Sequence, residues 1–329
     1  MPLLKGKSNC ITDVRGVKVG HVTLHNKINE TDTICTGVTA ILPHEGNLFV
    51  KKIRAASHVI NGFGKTNGLI QMDELGLLES PIMLTNTFSV GNVMQGTLQY
   101  MLNQNDEIGD STSSINLIVG ECNDGFLNSM RIPAVKPEHA IQAIEQASTD
   151  PVEQGAVGAG KGMMCFGHKG GVGTASRMIK SDNLSYTVGC LVLSNFGKAQ
   201  DAIFADLENR ETDTPDGSIM MIIATDAPLY DRQLKRLAKR CAAGLGRTGS
   251  HIGNGSGDIA IAFSTANTYA HQSSQHTESI KTIRDDHPLM NGLFQAVIET
   301  TEEAVINSLR YAETTIGRLG RKVKKATLT

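Results

Sequence analysis

Residues 215–228 read Pro215-Asp216-Gly217-Ser218-Ile219-Met220-Met221-Ile222-Ile223-Ala224-Thr225-Asp226-Ala227-Pro228. The run from Ile219 to Ala224 is apolar throughout, which predicts a strand buried on at least one face. Ser218 precedes this strand and follows a glycine, an arrangement with two interpretations. The commoner one is turn chemistry. The other is self-cleavage before Ser218, after which the freed α-amine would serve as the base for the serine hydroxyl.

Further short apolar runs predict more strands, and helical periodicity predicts helices on either side of them. The predicted strands are Val38 to Leu42, Pro81 to Leu84, Ile115 to Val119, Val188 to Leu193 and Ile259 to Phe263. The predicted helices are Pro137 to Ala147, a segment with an apolar stripe from Leu234 to Leu245, and another from Phe294 to Leu309. This order predicts a layered α/β protein without strict βαβ alternation.

The segment from Asp206 to Gly217 is dense in charged residues and turn formers, so we expect an exposed loop in front of Ser218. No Gly-x-Ser-x-Gly nucleophile elbow follows a strand anywhere in the chain. The nearest run, Gly253 to Gly257, has its serine one position too late. Ser218 therefore has no competitor of the Ser-His-Asp type with a recognisable sequence signature.

The charge balance argues against a nucleic-acid partner, because 31 basic and 33 acidic residues give a net charge of −2. The exception is a basic tail from Arg318 to Lys325, for which we expect a solvated terminus. No apolar stretch approaches the length of a membrane span, and the first residues lack a secretory signal. Six cysteines without Cys-x-x-Cys spacing are typical of a reducing compartment. We therefore expect a cytoplasmic protein that contacts no membrane.

Motifs along nearly the whole chain resemble the family of the L-aminopeptidases/D-esterases and β-peptidyl aminopeptidases, self-processing relatives of the N-terminal nucleophile hydrolases. Their order and number make the resemblance specific. The motifs are Ile11 to His21, Thr36 to Pro43, Asn61 to Lys65, Gly91 to Val93, Val119 to Gly125, Leu127-Asn128, Gly155 to Arg177, Leu193 to Gly197, Gly217-Ser218 and Arg247 to Asn267.

The resemblance implies a four-layer αββα sandwich in which the Ser218 strand is central. It also implies one catalytic domain, residues 1–329, cut into fragments 1–217 and 218–329, and a homotetramer of such processed protomers. The implied activity is release of N-terminal residues from short peptides, amino-acid amides or esters. Whether the acyl residue is an L-α-, D- or β-amino acid stays open, because the pocket loops decide it.

Four further side chains receive roles through the resemblance. Asn195 matches the oxyanion-hole asparagine, while Ser256 and Asp258 match the residues that orient the nucleophile and its amine, although some relatives carry Glu instead of Asp. Glu121 matches the acidic residue that receives the free ammonium of a substrate. Asn123 stands where some relatives have an oxyanion-hole tyrosine, so that role is not transferred, and a backbone N–H is an alternative.

Other interpretations have less support. The run Gly155 to Gly162 approaches a phosphate-binding loop but lacks the Ser or Thr after Lys161, so close packing of the glycines is the better interpretation. His21 and His25 would form a metal pair only on a helix, whereas Val17 to Leu24 alternates like a strand. We expect no metal and no cofactor. The alternatives in function are an acyltransferase of the ornithine acetyltransferase type, more distantly a nucleotide-binding protein, and a catalytically silent assembly protein.

Overall fold

The computed structural model describes residues 2–181, 184–204 and 217–328. Its strands are β1 (Lys18–Lys27), β2 (Thr33–Leu42), β3 (Lys51–Gly62), β4 (Leu77–Leu78), β5 (Ile82–Asn86), β6 (Ile118–Cys122), β7 (Met164–Cys165), β8 (His168–Lys169), β9 (Gly171–Ser181), β10 (Leu184–Asn195), β11 (Ser218–Thr225), β12 (Gly257–Ala270), β13 (Thr315–Ile316) and β14 (Lys322–Val323). Its α-helices are α1 (Leu69–Leu75), α2 (Val90–Leu102), α3 (Pro137–Glu145), α4 (Asp231–Ala238), α5 (Cys241–Gly246) and α6 (Leu289–Arg310).

Two sheets form the centre of the fold. The larger one has six strands in the order β4-β3-β12-β11-β10-β9, and the smaller one has four in the order β1-β2-β5-β6. β11 runs antiparallel to β10 and parallel to β12. The strand that begins with Ser218 therefore lies in the middle of the larger sheet.

Three apolar clusters define four layers. The cluster between the sheets joins side chains such as Ile41 and Leu84 of the smaller sheet to Leu191 and Ile222 of the larger one. A second cluster packs the outer face of the larger sheet against α4, α5 and α6, and a third packs the outer face of the smaller sheet against α2 and α3. The predicted αββα sandwich is confirmed.

The alternation of side chains along β11 explains why its sequence is apolar throughout. Ile219, Met221 and Ile223 join the cluster under the helices, whereas Met220 and Ile222 join the cluster between the sheets. Because successive side chains point to opposite faces and both faces are covered, every position of the strand is buried.

The predicted elements are found, with differences at some ends. The strand predicted from Ile115 begins only at Ile118. The sequence analysis did not predict β3 or α2, because β3 has few apolar residues and α2 is interrupted by Gly91 and Gly96. Gly96 is needed for packing, since a Cβ there would lie 2.0 Å from the Pro137 carbonyl oxygen of α3. The predicted loop Asp206 to Gly217 lies outside the described residues except for Gly217.

The glycines of the run 155–162 pack closely, as expected. A Cβ on Gly162 would lie 2.2 Å from the Cys35 carbonyl oxygen, and one on Gly158 would lie 2.5 Å from the Thr39 hydroxyl. Lys161 makes a 3.0 Å ion pair with Glu313. Contact with β2 thus explains Gly158 and Gly162, whereas Gly155 packs against Tyr311 and Gly160 against Val172.

The basic tail differs in part from the expected solvated terminus. Lys322, Lys324 and Lys325 are exposed, but Val323 is buried and its strand β14 pairs with β13. All six cysteines are free and buried, so they behave as small apolar side chains. In the described ranges, no helix combines the length and apolarity that crossing a bilayer requires.

Candidate active site

Ser218 is the first residue of β11 and is 6 % exposed. The Gly257 backbone N–H, at the start of β12, donates to Ser218 Oγ over 3.1 Å. This bond follows from the parallel register, in which Ile219 lies beside Asp258. The chain is continuous through Gly217, so the Ser218 nitrogen is here part of a peptide bond.

Gly217 has room for no side chain. A Cβ on this residue would lie 1.7 Å from the Asn195 carbonyl oxygen and 3.1 Å from Asn195 Nδ2. Contacts below 3 Å do not occur between real Cβ atoms and backbone, so glycine is needed here for close approach. The carboxamide of Asn195 therefore lies beside the Gly217–Ser218 bond.

Asn195 is held rigidly as the last residue of β10, directly opposite Ser218 in the sheet. Its Oδ1 accepts the Met164 N–H over 2.9 Å, and its Nδ2 donates to the Asn123 carbonyl over 2.9 Å. An amide nitrogen carries two hydrogens. Among the residues that the structure describes, the second hydrogen has no acceptor, so it is available to a developing oxyanion.

Ser256 and Asp258 flank Gly257. The Ser256 hydroxyl donates to Asp258 Oδ1 over 2.6 Å, and Asp258 is 1 % exposed. Burial raises the pKa of Asp258 to about 6, against the opposing effects of the hydrogen bond from the Ser256 hydroxyl and of the nearby Ile219 N–H. Oδ2 of Asp258 is buried without a hydrogen-bond partner in the described part of the chain. This oxygen can accept from a cation that arrives beside it.

Glu121 is the fourth residue of β6 and is 3 % exposed. Its Oε1 accepts the Lys65 N–H over 2.8 Å, and its Oε2 accepts the Thr87 hydroxyl. Gly64 lies between Glu121 and Gly257, since a Cβ on Gly64 would be 3.5 Å from Glu121 Oε1 and 3.7 Å from Gly257 Cα. Gly257 in turn donates its N–H to Ser218, so Glu121 is close to the serine. The structure thus brings all the predicted side chains to one region.

Several groups of this site were not predicted. Four groups make hydrogen bonds that fix the site: the backbone N–H groups of Met164 and Gly257, the backbone carbonyl of Asn123 and the side chain of Asn61. Asn61 Nδ2 donates to the Gly253 carbonyl over 3.1 Å and to the Ser256 carbonyl. Of these groups, Asn61 could have been found from the sequence, because it belongs to the motif Asn61 to Lys65. The backbone groups could not, because every residue has a backbone amide.

Two neighbouring cavities lie beside the residues that pair with or precede Ser218. One, of about 370 Å³, is lined by Asn123, Phe126, Met164 and Asn195 among others. The other, of about 320 Å³, is lined by Gly217, Ser256, Lys198, Asp201 and His251 among others. Small molecules therefore have space next to Asn195 and next to Gly217.

The nearest cluster outside the site is formed by buried groups behind Asn123. Burial raises the pKa of Asp124 to about 7 and lowers that of Lys169 to about 7. Lys169 Nζ donates to the carbonyls of Gly160, Met163 and Gly170 over 2.7–2.9 Å. In the described ranges, no group of three or more His, Cys, Asp or Glu side chains is arranged to hold a metal ion.

Comparisons with known proteins show which proteins the chain is similar to. Residues 9–323 match peptidase family S58. The chain is 39% identical over 346 residues to the β-peptidyl aminopeptidase BapA of Sphingosinicella microcystinivorans, an alignment that covers 97% of this chain and 86% of the relative.

Solved structures are similar throughout. The PH0078 protein from Pyrococcus horikoshii OT3 is 49% identical with a TM-score of 0.92, covering 99% of this chain and 93% of that one. The L-aminopeptidase D-Ala-esterase/amidase from Ochrobactrum anthropi, described as a prototype for the serine aminopeptidases with a variant of the Ntn hydrolase fold, is 33% identical with a TM-score of 0.91, covering 99% and 93%.

Proposed function

The chain belongs to peptidase family S58, and from this premise we propose that it is an aminopeptidase that cleaves itself before Ser218 and then uses Ser218 as an N-terminal nucleophile. The observation that carries the proposal is the pairing of Gly217 with Asn195. Gly217 lies against the backbone carbonyl of Asn195, and the Asn195 side-chain amide, a hydrogen-bond donor, lies beside the bond that must break.

In the processing step, Ser218 Oγ attacks the Gly217 carbonyl carbon. The Gly217–Ser218 C–N bond breaks, the hydroxyl proton passes to the released nitrogen, and an ester joins Gly217 to Ser218 Oγ. Water then hydrolyses the ester, leaving a Gly217 carboxylate and a free Ser218 amine and hydroxyl. The second N–H of Asn195 is suited to stabilise the oxyanion of the first step.

In each turnover, the neutral Ser218 amine takes the proton of the Ser218 hydroxyl as the oxygen attacks the substrate carbonyl. A terminal amine with a pKa of about 8 is partly unprotonated at neutral pH, which suits a general base. The same proton passes to the leaving group, and water hydrolyses the acyl-enzyme. Serine chemistry of this kind needs no cofactor.

Asp258 and Ser256 orient the released amine. The unpaired Oδ2 of Asp258 is the acceptor that a new ammonium at Ser218 requires, and the Ser256 hydroxyl fixes the other oxygen. A carboxylate beside the ammonium also raises the pKa of the amine.

Glu121 receives the free ammonium of the substrate. Its two bonds, from Lys65 and Thr87, leave further acceptor positions on the carboxylate. The substrates are short peptides, amino-acid amides or esters, in line with the β-aminopeptidase and L-aminopeptidase names of the relatives. Neither the acyltransferase nor the nucleotide-binding alternative gains support from these relatives.

The test is denaturing electrophoresis with N-terminal sequencing. We expect fragments of 217 residues and of the remaining 112 residues, the second beginning with Ser218, and Ser218→Ala should give one inactive chain of 329 residues. N-acetylation of a good substrate should abolish its cleavage. An enzyme that turns over peptides while uncut between Gly217 and Ser218 would contradict the proposal.

Assembly and location are parts of the same proposal. We propose a tetramer of processed protomers, supported by large apolar side chains that one protomer leaves exposed, such as Phe88 at 69 % and Ile70 at 89 %. Light scattering should give four times the protomer mass. Six buried, unpaired cysteines fit a reducing cytoplasm, which cell fractionation would test.

A further inference from the structure

The cavity of about 370 Å³ beside Asn195 has one charged residue among the described residues of its wall, Arg321. The rest of the wall is apolar or neutral, including Met130, Met164 and Asn123. The neighbouring cavity beside Gly217 is different, because its wall carries Lys198 together with Asp201 and His251, and His251 Nε2 lies 3.6 Å from Asp201 Oδ1. Only the first cavity therefore has a positive charge without a negative one on its described wall.

Arg321 is held in place but its charge is not neutralised. The guanidinium stacks 4.6 Å from the centroid of the Phe126 ring, and Nη1 donates to the Phe126 carbonyl over 3.0 Å. A guanidinium has five N–H donors in a planar fork. In the described part of the chain, its contacts are with an aromatic ring and a backbone carbonyl and not with a carboxylate. Donors thus remain for a ligand in the cavity.

The C-terminal hairpin brings Arg321 to this position. Strands β13 and β14 pair, and the Gly317 N–H donates to the Arg321 carbonyl over 2.9 Å. Val323, two residues on, packs in an apolar cluster with Leu127 and Met164. Since the Met164 N–H holds Asn195, the tail and the catalytic asparagine are fixed by the same packing.

We infer that Arg321 binds the C-terminal carboxylate of peptide substrates, so that dipeptides with a free carboxylate are the preferred class. The inference rests on the proposed function and specifies its leaving group. A planar guanidinium binds a carboxylate through two parallel N–H···O bonds, and in a half-buried apolar cavity such a bond is stronger than at an open surface.

The cavity begins beside the residues that would hold the reacting carbonyl. Asn195 lines the cavity, and its Nδ2 donates to the carbonyl of Asn123, another residue of the wall. Asn195 also lies directly opposite Ser218 in the sheet. A substrate whose amine is at Glu121 and whose carbonyl is at Ser218 therefore has this cavity next to its second residue.

The experiment compares matched substrates on the processed enzyme. A series of aminoacyl p-nitroanilides first identifies the best acyl residue, X. The kcat/KM is then measured for X-Ala and for X-Ala-NH2, which differ only in the terminal charge. We expect wild type to prefer the acid and Arg321→Met to lower the ratio of acid to amide by roughly 10- to 100-fold, the effect of one hydrogen-bonded charge.

Control variants separate charge from structure. Arg321→Lys should retain part of the preference because the charge stays, and Lys322→Met, an exposed cation one residue on, should leave the ratio unchanged. Self-cleavage into two fragments shows that each variant folds. A wild type that does not prefer the acid, or an Arg321→Met variant with the wild-type ratio, would overturn the inference. Failure of the proposed function would differ, since neither substrate would then be cleaved.

Discussion

At the scale of single residues, the site depends on how closely two backbone segments approach. The end of β10 and the residue before β11 are in contact at Asn195 and Gly217, and the Asn195 carbonyl fills the space that a side chain at residue 217 would need. Reactions in which an enzyme positions the reacting atoms lose rate when those atoms shift by about 1 Å. The Gly217–Ser218 bond, which we propose is cut, is thus positioned by the sheet itself.

Gly217→Ala should impair processing. The new Cβ would meet the Asn195 oxygen at 1.7 Å, so the backbone at the scissile bond must move. We expect self-cleavage at least roughly tenfold slower, measured by the appearance of the 218–329 fragment on denaturing gels. The matched control is Gly246→Ala, whose Cβ would meet no atom within 4 Å. Wild-type processing of Gly217→Ala would show that this contact does not matter.

Asp258 illustrates a residue kept at a cost in stability. Its pKa is raised to about 6 in the folded protein from 3.8, so the folded state binds a proton more tightly than the unfolded state does. The free energy of unfolding therefore falls as the pH rises from about 4 through about 6, and the loss is complete above that range. A buried carboxylate without a partner for Oδ2 is understandable if a cation joins it after cleavage.

Asp258→Asn should accordingly stabilise the uncut protein at higher pH. In a Ser218→Ala background, which has no terminal amine at this site, we expect the advantage of Asn over Asp to grow by about 1 kcal/mol between pH 5 and pH 8. Urea unfolding at the two pH values measures it. An advantage that shrinks with increasing pH would mean that the carboxylate is stabilised in the uncut chain.

At the scale of elements, glycines determine how closely helices pack on the larger sheet. Gly173 of β9 lies under α6, and a Cβ there would be 1.9 Å from the Ala304 carbonyl oxygen and 2.6 Å from the Ser308 nitrogen. The helix backbone thus rests directly on the strand. Ser308 in turn shares a 2.6 Å hydrogen bond with Ser194, the neighbour of Asn195. Packing of α6 is therefore connected to the end of β10.

Gly173→Ala should destabilise the protein by about 2 kcal/mol or more, because overpacking at a backbone contact displaces the helix. The control is Gly91→Ala in the first turn of α2, where a Cβ would meet nothing within 4 Å. Because alanine favours a helix more than glycine does, this substitution should raise the free energy of unfolding by at most about 1 kcal/mol. Both values come from urea unfolding of uncut Ser218→Ala protein. Equal effects of the two substitutions would contradict the packing argument.

At the scale of the whole molecule, the proposed cleavage site would divide the chain without dividing the fold. Two strands of the larger sheet that follow residue 217, β11 and β12, lie between β10 and β3, which precede it. Ion pairs also join the two parts, since Arg177 binds Glu299 over 2.8 Å and Glu303 over 2.7 Å. The predicted fragments would each leave an apolar sheet edge and face uncovered if they separated.

The processed fragments should therefore stay together. On size-exclusion chromatography in native buffer we expect residues 1–217 and 218–329 to elute as one species of the same size as uncut Ser218→Ala. In strong denaturant the two should separate. Native elution of a free fragment would mean that the sheet contacts are too weak to hold the halves.

The resemblance carried by the ordered motifs was enough to predict the layers and the central strand. The residues to which it assigns roles lie in one region of the structure, and those roles stay predictions. Apolar runs marked β2, β5, β10, β11 and β12 because a strand covered on both faces has few polar positions. β3 was not predicted because its sequence mixes buried and exposed positions and has no continuous apolar run. α2 was not predicted because Gly96, which is needed for packing, lowers the helix propensity of the segment.

By itself the sequence determined the types of groups available: a serine after a glycine, an amide at the end of one apolar run and carboxylates at two others. The tertiary structure decided which groups meet, namely the Gly257 N–H on Ser218, the Met164 N–H and Asn123 carbonyl on Asn195, and Arg321 at the cavity wall. The physical reason is that every residue carries the same backbone donors and acceptors. Their partners follow from strand register and packing between segments far apart in the chain.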